Sequence, residues 1–212
     1  MYNDTNFSPI ATANPLAVLD PPRKEPRSYT LAEYLRREEY AKELHEYYDG
    51  LIIKLQMARG PHNLIVANMA TALNIAKKAL SKKYLVYTGQ QAVYLPELNF
   101  SLYPDVLTVV KTPQYFDSNQ VLLINPIVIV EVLSKSTKKY DRVEKFNEYK
   151  TLDSFREYVL IDQKNCHIVT RFREEPGLWR ETIYKDINGS ILLKSINCTI
   201  TLADIYENIV FK

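Results

Sequence analysis

The sequence predicts an α/β fold in which a central mixed β-sheet is flanked by helices. Three observations carry this expectation. Ile65, Met69, Leu73, Ala76 and Leu80 recur at three- and four-residue spacing, the period of an amphipathic helix. "IVIVEVL" at 127–133 is apolar on both faces but for one residue, as a central strand covered on both sides requires. Short β-rich runs fill the text on either side of a second helical pattern, so strands alternate with a few flanking helices.

Each element follows in order. Residues 1–28 hold five prolines, Pro9, Pro15, Pro21, Pro22 and Pro26, without sustained periodicity, and read as a flexible arm. Residues 29–212 read as a single domain with a β-rich C-terminal part. Thr30 and Glu33 form a capping-box pattern, and Leu31, Tyr34, Leu35 and Leu44 continue a helical stripe over roughly 30–42. Asp49-Gly50 makes a turn into the strand "LIIKLQM". Pro61 opens the long helix, which the spacing carries to Lys82 and Lys83, where cations suit the helix dipole. Strands follow at 84–87, 92–95, 105–110 and 127–133. A helix over about 140–152 places Val143, Phe146 and Tyr149 on one side. Strands at 157–162, 167–172 and 179–184 come next, the last two parted by a turn at Glu174–Gly177, and "TLADIYENI" ends the chain as a short helix.

Composition excludes several classes. The 212 residues are 46% hydrophobic and 25% charged, enough for a real core and too apolar for a disordered chain. The net charge of +2 announces no nucleic-acid partner, so any such binding must rest on local patches. No stretch approaches the roughly 18 apolar residues of a spanning helix and no leader pattern opens the chain, which reads as cytoplasmic and not membrane-bound. Cys166 and Cys198 lack paired metal-site spacing and read as plain buried thiols. Five glycines leave no phosphate loop, and no Ser or Cys stands in a nucleophile elbow. NTPase, dinucleotide-binding and serine hydrolase functions drop out, and no nucleotide cofactor is expected.

The candidate chemistry lies in misplaced charges. Glu131 sits inside the apolar run 127–133, and burying a lone carboxylate costs several kcal/mol unless it is paired, protonated or bound to a metal. A neighbouring cation near a strand end is the structural account; a metal is the functional one. Asp105 opens the strand "DVLTVV" after Pro104, and alone it is a Pro-Asp turn. Together the two carboxylates suit a hard oxygen site for Mg²⁺ or Mn²⁺. Asp141 and Lys145, four apart on a helix, read from spacing as an exposed ion pair; the alternative has Lys145 reaching the Glu131 strand to orient water or a phosphate. Glu46 is either a solvated carboxylate at a helix end or a further ligand or base. His62, at the start of the long helix, is a capping residue or a phosphate contact. His45 and His167 carry no particular signal.

The segments "YTLAEYL", "HEYYDG", "PHNLIVANMATAL", "YPDVLTVV", "NPIVIVEVLSKSTKKYDRVEKFNEY" and "FREYVLID", in this order, resemble the putative restriction endonuclease family (DUF820-like), a branch of the PD-(D/E)XK nuclease superfamily. The resemblance runs from about Tyr29 to Asp162. It implies a restriction-endonuclease-like fold and metal-dependent endonuclease activity on DNA, with Mg²⁺ or Mn²⁺ held by Asp105 and Glu131. Pro104 and Asp105 match the signature's first pair and Glu131 its acidic member. The third position falls on Leu133 instead of lysine, and the family's substitute lysine from the next helix points to Lys145. Glu46 and His62 match positions near the family's cleft, although the glycine-rich text before the histidine is reduced here to "ARGPHN". Lys138 and Lys139 are candidate nucleic-acid contacts, with Lys77, Lys78, Lys82, Lys83 and Lys135 as further basic surface. A homodimer is expected by analogy. The Leu133 departure keeps open a second class, a nuclease-fold protein that binds nucleic acid or a protein partner without cleaving. Most of the sixteen tyrosines, among them Tyr48, Tyr103, Tyr140 and Tyr149, read as packing residues with a wet hydroxyl tip.

Overall fold

The computed structural model describes residues 28–79, 83–134 and 138–211, so the expected arm lies outside the described residues but for Ser28. Lys82 and Lys135 also lie outside them. In chain order the elements are α1 Leu31–Glu38, β1 His45–Tyr48, β2 Leu51–Lys54, α2 Gly60–Ala79, β3 Tyr84–Thr88, β4 Ala92–Leu95, β5 Phe100–Leu102, β6 Val106–Val110, β7 Leu122–Leu123 and β8 Val128–Leu133. Then come α3 Lys138–Tyr149, β9 Glu157–Asp162, β10 Ile168–Glu175, β11 Leu178–Tyr184, β12 Ser190–Leu193, a 3₁₀ turn, β13 Cys198–Thr201 and α4 Leu202–Ile205.

Among the described residues the strands form a six-stranded sheet ordered β11-β10-β9-β8-β6-β3, a five-stranded sheet ordered β2-β1-β5-β4-β7, and a β12-β13 ribbon. In the six-stranded sheet β8 and β9 run parallel while the other neighbours run antiparallel, so the sheet is mixed as expected. All six residues of β8 are buried, as the doubly apolar text predicts.

Side chains alternate across β8 because successive Cβ atoms point to opposite faces. Val128, Val130 and Val132 join a core with Ile65, Met69 and Leu73 of α2 and with Ile191, Cys198 and Ile200 of the ribbon. Ile129 and Leu133 join a second core with Phe146, Tyr149 and Phe155, and with Val93, Leu95 and Leu102 of the five-stranded sheet. Glu131 shares their parity.

Several boundaries differ from expectation. The Thr30–Glu33 capping box forms, but α1 ends at Glu38, whose carboxylate accepts the His45 N–H at 2.8 Å and meets His45 Nδ1 at 3.0 Å. "HEYY" is a strand and not part of a helix end: it pairs with β2 across the Asp49-Gly50 turn and with β5 on its other side. Gly50 has φ +102°, and a Cβ there would meet Ser28 Oγ, so the turn needs glycine. Lys83 lies outside α2 and directly before β3. In α3, Val143 is 54% exposed, because the buried stripe is Asp141, Lys145 and Tyr149, at four-residue steps, with Phe146 beside it. Cys198 is buried and Cys166 partly so, and neither is in a disulfide. Among the described residues no helix is long and apolar enough to cross a membrane.

Candidate active site

Asp105 immediately precedes β6. The β6–β8 register pairs Val106 with Val130, and one further step sets Asp105 across from Glu131. The pairing is fixed by backbone: Asp105 Oδ2 accepts the Val132 N–H at 2.7 Å. His62, from the first turn of α2, brings Nε2 to 3.1 Å of the same Oδ2. Burial by itself would lower the His62 imidazole, but the bond to Asp105 and its charge more than offset that, and His62 is held above its ordinary value.

Glu131 is 4% exposed and Lys145 6% exposed, and they meet: Lys145 Nζ is 3.0 Å from Glu131 Oε1. Lys145 therefore does not form the exposed pair with Asp141 that the four-residue spacing suggested; both residues turn inward with the α3 stripe. Tyr149, one turn further on, donates its hydroxyl to the same Oε1 at 3.2 Å. Burial pushes the Glu131 carboxyl well up; Lys145 opposes this, and Asp105 and Asp141 add to it. Burial would lower Lys145, but Glu131 and Glu46 together hold its ammonium well above the ordinary value. Lys145 is thus a charged cation between two carboxylates, the pairing that a buried ion needs.

Glu46 is the second of them. It lies on β1 and is 5% exposed, so it is no solvated helix-end group. Its Oε1 is 3.4 Å from Lys145 Nζ and accepts the Tyr103 N–H at 3.2 Å. Its Oε2 accepts the Tyr48 hydroxyl at 2.7 Å. Both oxygens of Glu46 are taken. By contrast, among the described residues no hydrogen bond reaches Asp105 Oδ1 or Glu131 Oε2. No group of three or more His, Cys, Asp or Glu side chains among the described residues is placed to hold a metal ion.

The structure thus brings Asp105, Glu131, Lys145, Glu46 and His62 into one cluster fed by β6, β8, α3, β1 and α2. Lys138 and Lys139 stand exposed at the start of α3, and Lys138 pairs with Asp162 at 2.8 Å. Leu133, at the position where the signature has lysine, packs in the second core. Residues missed in the sequence are Tyr48, Tyr140, Glu148 and Tyr149, whose hydroxyls and carboxylate line the cluster. The signal available was the α3 period: Tyr140 and Glu148 lie two turns apart, and Lys145 and Tyr149 one turn.

The chain is similar to known proteins in sequence and in fold. The chain is 34% identical over 145 residues to the protein sll1609 of Synechocystis sp., covering 68% of this chain and 80% of that one. It is 29% identical over 185 residues to slr1290 of the same organism, covering 84% and 92%. A crystal structure described as a putative nuclease belonging to DUF820, from Anabaena variabilis, superposes with a TM-score of 0.69 at 16% identity, over 86% of this chain and 99% of that one; at that identity the likeness is one of fold. The model of the Uma2 family, described as putative restriction endonuclease, matches residues 31–203, and on that match, which covers most of its length, this chain belongs to the Uma2 family.

Proposed function

We propose that this chain is a divalent-metal-dependent endonuclease that hydrolyses phosphodiester bonds in DNA. The observation that carries the proposal is the juxtaposition of Asp105 and Glu131 across β6 and β8, with Lys145 of α3 at 3.0 Å from Glu131. Such a cluster of buried charge is costly to a fold and is characteristic of a site for chemistry.

The donor set fits a hard cation. Asp105 and Glu131 each keep one oxygen without a hydrogen bond among the described residues, and two carboxylates suit Mg²⁺ or Mn²⁺, which retain several waters. They would not make a closed zinc site, which takes four ligands. When bound, the ion supplies charge stabilisation to the phosphoryl oxygens and lowers the pKa of a coordinated water.

The remaining work falls to the chain. The Val132 N–H and His62 fix the Asp105 carboxylate, and Tyr149 with Lys145 fixes that of Glu131, so the open oxygens are preorganised. Lys145 offsets negative charge where the phosphodiester enters, taking over the part of the lysine that Leu133 replaces. Glu46 holds Lys145 from the other side. In-line attack of water forms one P–O bond and breaks the P–O3′ bond; the water's proton passes to a base and O3′ takes up a proton, leaving a 5′-phosphate and a 3′-hydroxyl. His62, Lys138 and Lys139 would contact the nucleic-acid backbone, and a homodimer would allow two strands to be cut.

The test is cleavage of plasmid and single-stranded DNA with Mg²⁺ or Mn²⁺. Wild type should cut, and Glu131→Gln and Asp105→Asn should each lose about 10²-fold or more. Equal cutting by all three would sink the proposal. The second reading, binding without cleavage, is favoured by Lys145 being saturated by two carboxylates; it predicts DNA retention without products under every metal condition.

A further inference from the structure

Next to Glu46 runs a chain of hydrogen bonds that ionised carboxylates cannot complete. The Tyr48 hydroxyl lies 2.7 Å from Glu46 Oε2, the Tyr48 and Tyr140 hydroxyls lie 2.9 Å apart, and the Tyr140 hydroxyl lies 2.6 Å from Glu148 Oε2. These are three oxygen–oxygen links among four groups. Each link needs one hydrogen between its oxygens. The two phenols supply one each, and an ionised carboxylate supplies none. If all three links carry a hydrogen, the third sits on a carboxyl group at one end.

We propose that Glu46, Tyr48, Tyr140 and Glu148 share one additional proton and form a relay that joins the buried Lys145 cluster to the partly exposed Glu148. With the proton on Glu148, that carboxyl donates to Tyr140, Tyr140 donates to Tyr48, and Tyr48 donates to Glu46. With the proton on Glu46, all three donors reverse. A concerted shift of three hydrogens carries one proton from end to end and leaves both tyrosines neutral. That neutrality matters, because burial raises both phenols far above their ordinary value and a tyrosinate would be costly.

The resting proton is assigned to the outer end, because Glu46 already meets Lys145 Nζ at 3.4 Å and accepts the Tyr103 N–H at 3.2 Å. Burial raises the Glu148 carboxyl; Tyr140 and Lys145 act against this, while Glu46 from β1 and Glu144 from α3 add to it. Facing Glu46 are Lys145 of α3 and Tyr48, and Tyr34 of α1 feels its charge. An outer proton leaves Glu46 as an anion beside Lys145. An inner proton neutralises Glu46, and Lys145 then keeps Glu131 as its ion-pair partner. Glu148 is a positioning residue: it acts on Lys145 through two phenols without touching it or the substrate.

The relay rests on these distances, and only its consequence for Lys145 rests on the proposed nuclease site. Its test therefore reads protons and not cleavage. Infrared difference spectra at neutral pH between wild type and Glu148→Gln should contain the C=O stretch of a neutral carboxyl present only in wild type, since the amide supplies the missing hydrogen itself. A difference spectrum without that band overturns the proposal. In ¹³C-glutamate-labelled protein, Tyr48→Phe, a position not bonded to Glu148, should lower the Glu148 titration midpoint by about one pH unit, because Tyr140 is then free to donate to it alone. A midpoint unmoved by Tyr48→Phe in a folded variant means two separate tyrosine–carboxylate pairs and no relay.

Discussion

The two faces of β8 come from alternate residues of one six-residue strand, yet they are built to different ends. On one face Val128, Val130 and Val132 meet α2 and the C-terminal ribbon in a core of mostly aliphatic side chains without a charged member. On the other, Glu131 sits between Ile129 and Leu133 and is answered by Lys145 and Tyr149, with Glu46 holding Lys145 from the far side. The first face gains from burial without conditions. The second is stable only while every charge keeps its partner, because an orphaned buried ion has neither water nor countercharge. Parity along the strand separates the two: a shift of one residue would put the carboxylate against α2.

The sharpest way to test that contrast is to remove the cation. Lys145→Met keeps the length and loses the charge, and should cost about 3–5 kcal/mol of stability in denaturant unfolding as well as about 10²-fold or more of cleavage. Adding Glu131→Gln should return about 1 kcal/mol or more of the stability while cleavage stays lost, since one of the two stranded carboxylates is then gone. If the double variant is instead less stable than Lys145→Met, the charged face is not held by pairing. On the apolar face, Leu73→Ala should cost about 2–5 kcal/mol through a cavity and leave cleavage per folded molecule within about twofold. A large loss of activity there would erase the distinction between the faces.

The smallest effect lies at the rim. In Asp162, burial alone would raise the carboxyl, but Lys138 at 2.8 Å and the Lys164 N–H outweigh it and hold the group below its ordinary value. A depressed carboxyl stabilises the fold above its unfolded value and loses that contribution as pH falls through the lower, folded value. Because Lys138 is half exposed, Asp162→Asn should cost no more than about 1 kcal/mol at pH 7. The difference from wild type should vanish in acid, which unfolding curves at a series of pH values below the ordinary aspartate range would reveal.

The same contrast decides what could be read from the sequence. β6, β8 and β9 were legible because short, continuous apolar runs fit a covered strand and little else, and Asp105 and Glu131 were legible because they interrupt such runs. "HEYY", "FSL" and "LL" were not, since, unlike the four-residue apolar run at 92–95, they are interrupted by polar residues or only two residues long and are defined by pairing with their neighbours. Lys145 was legible as the lesser of two readings, which the family resemblance strengthened; its spacing favoured Asp141, four residues away, while its partners come from β1 and β8. Glu46 looked like a helix end because the stripe of α1 ran on to Leu44 in the sequence, whereas Glu38 closes that helix early by binding His45. The relay tyrosines are 92 residues apart, and no local pattern joins them.

The parallel pairing of β8 with β9 has a kinetic consequence. Parallel neighbours cannot be joined by a tight turn; the chain must cross over, and here the crossover contains α3. The segment that closes the topology is therefore the one that delivers Lys145, Tyr149, Tyr140 and Glu148. Non-local closure of this kind is slow compared with forming hairpins such as β10–β11. A partly folded chain can have its hairpins in place and still lack the cation opposite Glu131. The charged face of β8 is complete only once that crossover has formed.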